Sequence, residues 1–113
     1  MIERMTHEEY VQSVRQQAVE IAAGILNGEV PMLEGCHSLA ALHREVDVDE
    51  SDPDFVTFAM ISSEIDALPL GAVRARWASK ALERLEPEVQ SAIEWARPKA
   101  LPACQSVVLR FGS

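Results

Sequence analysis

Apolar side chains recur every three or four residues along most of the chain, and this spacing is the period of an amphipathic α-helix. The clearest run places these residues on one stripe: Tyr10, Val14, Ala18, Ile21 and Ile25. Thr6 and Glu9 precede it at the spacing of a capping box. Gly28 follows it, and glycine readily adopts the left-handed conformation in which many helices end. The pattern therefore predicts a first helix between Thr6 and Gly28.

The same signals predict two further helices. The second begins at Pro31, a residue favoured in a first helical turn, and its stripe continues to Val46. Gly35 lies inside it, where a glycine weakens a helix but lets a neighbouring element approach closely. The third begins at Asp52 as its N-cap and ends near Leu68, because a residue that precedes proline disfavours helical geometry.

A fourth helix is predicted from Pro69 to Leu85, where the Glu86–Pro87 step interrupts the pattern. The chain after this step keeps a helical period, but Pro98 and Pro102 lie within it, so we expect a last helix that is kinked or split there.

No alternating strand pattern accompanies these helices. The sequence therefore predicts that residues 1–113 form one all-α domain, a compact bundle of about five helices joined by short loops.

Composition places the chain among folded proteins, since its hydrophobic fraction of 48% is too high for a disordered one. The first ten residues, MIERMTHEEY, lack the apolar core of a secretion leader, and the longest apolar stretch, ALPLGAV, is far too short to cross a membrane. We therefore expect a cytoplasmic protein in which Cys36 and Cys104 stay reduced.

Charge is unevenly distributed along the chain. The formal net charge is −8, with −4 on residues 1–46, −7 on residues 47–69 and +3 on residues 70–113. Nucleic acids and anionic membranes reward clustered cations, so neither is an expected partner. A basic protein is the partner that this charge suits, and charge that serves solubility alone is the alternative.

The most acidic stretch reads DVDESDPDF and holds five carboxylates in residues 47–55: Asp47, Asp49, Glu50, Asp52 and Asp54. A calcium loop starting at Asp47 would need glycine and glutamate at its sixth and twelfth positions, and Asp52 and Phe58 occupy them. Two interpretations remain for these carboxylates. They form a solvated loop that leads into a helix cap, or they dock a basic partner.

The spacing of the cysteines and histidines does not indicate a metal or cofactor site. Cys36 and His43 share a helix face but lie roughly 10 Å apart, and His37 points about 100° away from Cys36. We therefore predict a buried structural Cys36, a His43 at the edge of the core, and neither a metal ligand set nor a cofactor site.

A second candidate site lies at the corner between the third and fourth predicted helices. Its members are Ser63, Glu64, Asp66, Arg74 and Trp77. Asp66 falls in a last helical turn, where the helix dipole disfavours an anion, so we expect it to pair with Arg74 or to cap the next helix. Trp77 is predicted to lie in the core and Trp95 to be partly exposed.

The segments ILNGE, LEGCHSLAALHREV and DPDFVTFAMISSEIDALPLGAVRARW, in this order, resemble a group of small bacterial helical proteins of unknown function. The resemblance covers residues 25–82. It implies a bacterial cytosolic helical protein and carries over no active site, and Pro98 and Pro102 depart from the unbroken last helix that it implies.

Two functions follow from these observations. The first is a non-enzymatic interaction protein, such as an adaptor, an inhibitor or an immunity protein, which uses the acidic residues against a basic partner. The second is a small-molecule-binding protein or minor enzyme that uses the Glu64, Asp66 and Arg74 corner. The sequence favours a protein that is not an enzyme, and it leaves a homodimer open.

Overall fold

Residues 6–112 are described by a computed structural model, with the side chains of residues 71–73 excepted. Within this range the chain is helical and has no strand. The elements in order are α1 (His7–Leu26), α2 (Met32–Ala41), α3 (Pro53–Glu64), a 3₁₀ helix (Gly71–Arg76) and α4 (Ser79–Phe111). The all-α prediction is confirmed, but residues 6–112 form four α-helices and a 3₁₀ helix where about five α-helices were expected.

The ends of α1 and the start of α3 follow the predicted signals. Thr6 caps α1 by accepting a hydrogen bond from the Glu9 amide at 3.1 Å, and Gly28 adopts a φ of 82° just beyond its end. Asp52 caps α3, since its carboxylate accepts from the Phe55 amide at 3.3 Å. Residues 1–5, half of the segment from which no leader was expected, lie outside the described range.

All four helices contribute to one hydrophobic core. Its largest fully buried side chains are Phe55, Phe58, Leu33, Leu39 and Ile61. Arg15 of α1 contacts Phe111 at the end of α4. Asp52, before α3, also contacts the end of α4, and Glu64, at the end of α3, shares a hollow with Glu88 and Ser91 earlier in α4, so α3 and α4 are antiparallel. None of the described helices is both long and apolar enough to cross a membrane.

The predicted fourth helix does not form as expected. Residues 71–76 make a 3₁₀ helix, Trp77 and Ala78 are extended with ψ near 143° and 144°, and α4 begins at Ser79. The helix then continues through the Glu86–Pro87 step. The apolar period of Leu82, Leu85, Val89 and Ala92 continues across the proline, and the packing of α4 on the core begins just after it, at Val89 and Ala92.

The last helical segment is one element. The 33 residues of α4 are helical without a break and contain Pro87, Pro98 and Pro102, so a kink or split at the last two is not confirmed. All three prolines are exposed, and their spacings of 11 and 4 residues put them within about 60° on one helix face. Water can therefore reach the carbonyls that lose a partner, which is why the prolines are tolerated.

Gly35 has the packing role that its position suggested. A Cβ placed there would lie 2.5 Å from Cδ1 of Ile25 and 3.0 Å from Cγ1 of Val30. Only a glycine lets α2 approach the end of α1 this closely.

We predict that Pro98→Ala stabilises the protein by about 2 kcal/mol, because alanine is about 3 kcal/mol better inside a helix and proline recovers about 1 kcal/mol by restricting the unfolded chain. Urea unfolding measures the difference. Pro31→Ala is the control, since this residue lies outside the helix interiors and its loss should cost less than about 1 kcal/mol. Destabilisation by Pro98→Ala would show that packing requires the proline.

Gly35→Ala should destabilise the protein by about 1 kcal/mol, because a crowded core costs about 1–3 kcal/mol and the gain in helix propensity offsets up to about 1 kcal/mol. A double variant with Ile25→Val, which removes the nearest methyl group, should lose less stability than the two single variants together. Additive losses would contradict the contact.

Candidate functional site

The acidic residues lie on a loop whose backbone is fixed on several sides. We call residues 47–51, between the turns that follow α2 and the cap of α3, the acidic loop. Asp47 opens it with a φ of 58°, a left-handed conformation that aspartate tolerates better than most residues. The loop therefore turns sharply where it leaves the helical turns behind Val46.

Arg15 of α1 holds the start of the acidic loop. Its Nε donates to the Val46 carbonyl at 2.8 Å, and a terminal nitrogen donates to the Asp47 carbonyl at 3.1 Å. The same guanidinium lies 4.8 Å from the ring centre of Phe111, a cation–π contact that connects the loop to the end of α4.

His43 holds the middle of the loop. Its ring stacks on Phe55 with centres 5.5 Å apart, and its Nε2 donates to the Asp49 carbonyl at 3.2 Å. The imidazole is half-buried, which agrees with the predicted position at the edge of the core.

A charged cluster holds the end of the loop. Arg110 donates to both carboxylate oxygens of Asp52, at 2.7 and 3.0 Å, and to Asp54 at 2.8 Å. The hydroxyl of Ser106 also donates to Asp54, at 2.6 Å. We call Asp52, Asp54, Ser106 and Arg110 the Arg110 cluster. Asp52 and Asp54, two of the five predicted docking carboxylates, are therefore paired within the molecule, and Asp52 also caps α3, as the other interpretation expected.

The cluster sets the ionisation of its members. Burial of Asp52 raises the pKa of its carboxyl, but hydrogen bonds from Arg110 and from the Phe55 amide outweigh this, so the pKa lies below its usual range. The hydrogen bond to Asp52 raises the pKa of Arg110. Both groups are therefore charged at neutral pH.

Three of the five predicted docking carboxylates stay on the surface: Asp47, Asp49 and Glu50. Asp49 accepts hydrogen bonds from the Ser51 hydroxyl at 2.6 Å and the Ser51 amide at 2.8 Å. These bonds lower the pKa of Asp49. Within residues 6–112, none of the three forms an ion pair. The loop thus presents a small anionic surface on a backbone that is held in place.

The second candidate site is not gathered into one cleft. Arg74 pairs with Glu86 at 3.8 Å and donates to the Pro69 carbonyl at 3.3 Å, so the expected pairing with Asp66 is wrong. Glu64, Asp66 and Arg74 each line a different hollow.

The predictions for the two tryptophans have different outcomes. Trp77 is 38% exposed, so its predicted place in the core is also wrong. Trp95 is partly exposed, as expected, and Lys99 lies over its ring at 4.6 Å. Ser63 is on the exposed face of α3.

A hollow that the sequence did not suggest contains Asp66. It encloses about 320 Å³ and is lined by Glu34, His37, Ser38, Ile65, Asp66, Leu68 and Leu70. His37 is hydrogen-bonded through Nδ1 to the Ser62 hydroxyl at 2.8 Å. The hollow lies between α2 and the turn after α3. Its lining residues are far apart in the chain, so no local sequence pattern predicts it.

The remaining reactive side chains are buried in the core. Cys36 and Cys104 are fully buried free thiols, and burial raises the pKa of each to about 12. They are therefore poor nucleophiles. In the part of the chain that the structure describes, no three His, Cys, Asp or Glu side chains are placed to share a metal ion.

Comparison with known proteins adds no relative: no family model, curated protein or solved structure matches the chain.

The Arg110 cluster predicts how stability depends on pH. Asp52→Asn keeps a residue able to cap α3 but removes the charge, and we expect a loss of about 2 kcal/mol at neutral pH. Because the folded state lowers the pKa of Asp52, the charged carboxyl stabilises the fold above its unfolded value of about 3.9, and this contribution disappears as the pH falls through the lower folded value. The stability gap between wild type and variant should therefore close below about pH 4.

Chemical denaturation at a series of pH values measures this gap. Glu94→Gln, which changes an exposed carboxylate of α4, is the control and should track the wild type at every pH. A gap for Asp52→Asn that stays constant into acid would contradict the assigned role of its charge.

Proposed function

We propose that the protein is a non-enzymatic interaction module whose acidic loop binds a basic surface on a partner protein. One observation carries this proposal: Asp47, Asp49 and Glu50 are exposed on a backbone that Arg15, His43 and the Arg110 cluster hold from three directions.

A held loop favours binding for two reasons. Less conformational entropy is lost when the partner docks, because the backbone is already ordered. The clustered charge also speeds encounter with a cationic surface, an effect that weakens with added salt.

The class of such a protein is an adaptor, an inhibitor or an immunity protein, and we place it in the bacterial cytoplasm by the resemblance described above. The low reactivity of the two buried thiols and the divergence of Glu64, Asp66 and Arg74 support a role without catalysis. Neither a nucleic acid nor a membrane is part of this proposal, since clustered carboxylates repel both.

A small-molecule-binding role is the alternative. The site that favours this role is the hollow at Asp66 and not the corner that the sequence suggested. Two carboxylates and an imidazole line it together with apolar Ile65, Leu68 and Leu70. A cationic ligand with an apolar part suits that lining.

Neutralising the loop tests the main proposal. We expect the triple variant Asp47→Asn, Asp49→Asn and Glu50→Gln to lose capture of basic proteins from a cell extract at low salt. Its unfolding free energy should change by less than about 1 kcal/mol, because the three side chains are exposed.

The matched control neutralises Glu20, Glu29 and Glu94, which are exposed and lie outside the loop. It changes the net charge equally and should capture the same proteins as the wild type, as quantitative mass spectrometry would show. Equal capture by both variants and the wild type would remove the acidic loop from the proposal.

A further inference from the structure

The turn between α1 and α2 contains the one asparagine of the chain, and a glycine follows it directly. Asn27 is the C-cap of α1, and Gly28 adopts a φ of 82°. Both residues and Glu29 are exposed, so water reaches this part of the turn. Glycine has no Cβ, so its backbone nitrogen approaches a neighbouring side chain without obstruction. The Asn27–Gly28 step is therefore the place in this chain where a side-chain amide and a backbone amide react most easily.

The carboxamide of Asn27 is directed towards the backbone that follows it. Its Oδ1 accepts a hydrogen bond from the Glu29 amide at 3.0 Å, the contact of an Asx turn. The carboxamide carbon, Cγ, therefore lies beside the Gly28 peptide. The Gly28 nitrogen donates to the Ile25 carbonyl at 3.3 Å, the longest of the backbone hydrogen bonds that residues 27–30 donate. This bond is longer than the usual range, so it holds the nitrogen only weakly.

The reaction between these two groups needs only water as a further reactant. The Gly28 nitrogen loses its proton and bonds to Cγ of Asn27, which closes a succinimide ring. The bond from Cγ to the side-chain nitrogen breaks, and that nitrogen leaves as ammonia. Water then adds to one of the two ring carbonyls and opens the ring. One opening gives aspartate, and the other gives isoaspartate, in which the main chain runs through the former side chain.

Ring closure requires the turn to open, because it rotates the backbone about the ψ of Asn27, which is 4° in the folded chain. The rotation breaks the bond from Gly28 to the Ile25 carbonyl and the 2.9 Å bond from Glu29 to the Gly24 carbonyl. The hydrogen bonds within α1 are kept, since they all precede this rotation. Helix ends open at a small fraction of the free energy of global unfolding. The folded chain therefore reaches the reactive geometry without unfolding its core.

We propose that Asn27 is a modification site, where the carboxamide is lost by spontaneous deamidation through a succinimide with the Gly28 nitrogen. The isoaspartate product lengthens the main chain within the turn. Glu29 and Val30 both donate to the Gly24 carbonyl, at 2.9 and 3.0 Å, and a longer chain moves these amides away from it. The Val30 side chain also lies against Gly24, where a Cβ would not fit. The modification therefore loosens the connection between α1 and α2, and it is independent of the interaction role proposed above.

Ageing of the full chain tests the modification. Purified protein is incubated at neutral and at mildly alkaline pH, and intact mass spectrometry follows the replacement of an amide NH₂ by OH. The wild type should convert, and several-fold faster at the alkaline pH, because the attacking nitrogen must lose its proton. Peptide mapping should locate the change at Asn27 and find both aspartate and isoaspartate there.

Asn27→Gln is the matched control, because it keeps a carboxamide but would have to close a larger and less favourable ring. It should keep its mass over the period in which half of the wild type converts. A wild type that ages no faster than Asn27→Gln would overturn the proposal. A product with aspartate and no isoaspartate would also overturn it, since this result shows direct hydrolysis without a ring.

Urea unfolding measures the structural effect of the modification. Ion-exchange chromatography separates the deamidated protein through its added negative charge, and its unfolding midpoint should be lower than that of the fresh wild type. Asn27→Gln aged in the same way should keep the midpoint of its own fresh sample. A deamidated protein rich in isoaspartate that unfolds at the wild-type midpoint would contradict the loosening of the turn.

Discussion

Arg110 lies in the last turn of α4 and donates to carboxylates at the first turn of α3, so one guanidinium joins two helix ends that are 58 residues apart in the chain. The pairing suits both helices, because anions stabilise a helix start and cations a helix end. The same guanidinium lies 4.9 Å from the ring centre of Phe111, whose ring Arg15 also approaches. These contacts bring α1, α3 and α4 together beneath the acidic loop, and the loop's shape depends on them.

The length of α4 explains the distribution of the remaining features. Its second half packs against the other three helices, and the first ten residues of its first half contribute no buried side chain. The two halves form one helix because the apolar stripe is continuous and the three prolines face water. The acidic loop lies beside the C-terminal end of α4, because Asp52, which follows the loop, contacts Arg110.

Local signals predicted the parts of the fold that depend on a few neighbouring residues. Thr6, Gly28 and Asp52 act within one turn of themselves, so their roles could be read from sequence. At Pro87, a local rule and the apolar period disagreed, and the helix follows the period and continues through the proline.

The candidate site was less predictable because its partners are distant. Nothing near Asp52 in the sequence indicates that Arg110 will bind it, so the ion pairs of Asp52 and Asp54 could not be predicted. The exposure of Trp77 likewise depends on what packs beside residues 74–88, and a helical period does not carry that information.

The central claim is that the acidic loop is an ordered surface because Arg15 of α1, His43 of the turns after α2 and Arg110 of α4 hold it. NMR relaxation of the backbone amides of residues 47–51 in the full chain tests this most directly. The account predicts order parameters near those of the helices, about 0.85, and values below about 0.6 would contradict it.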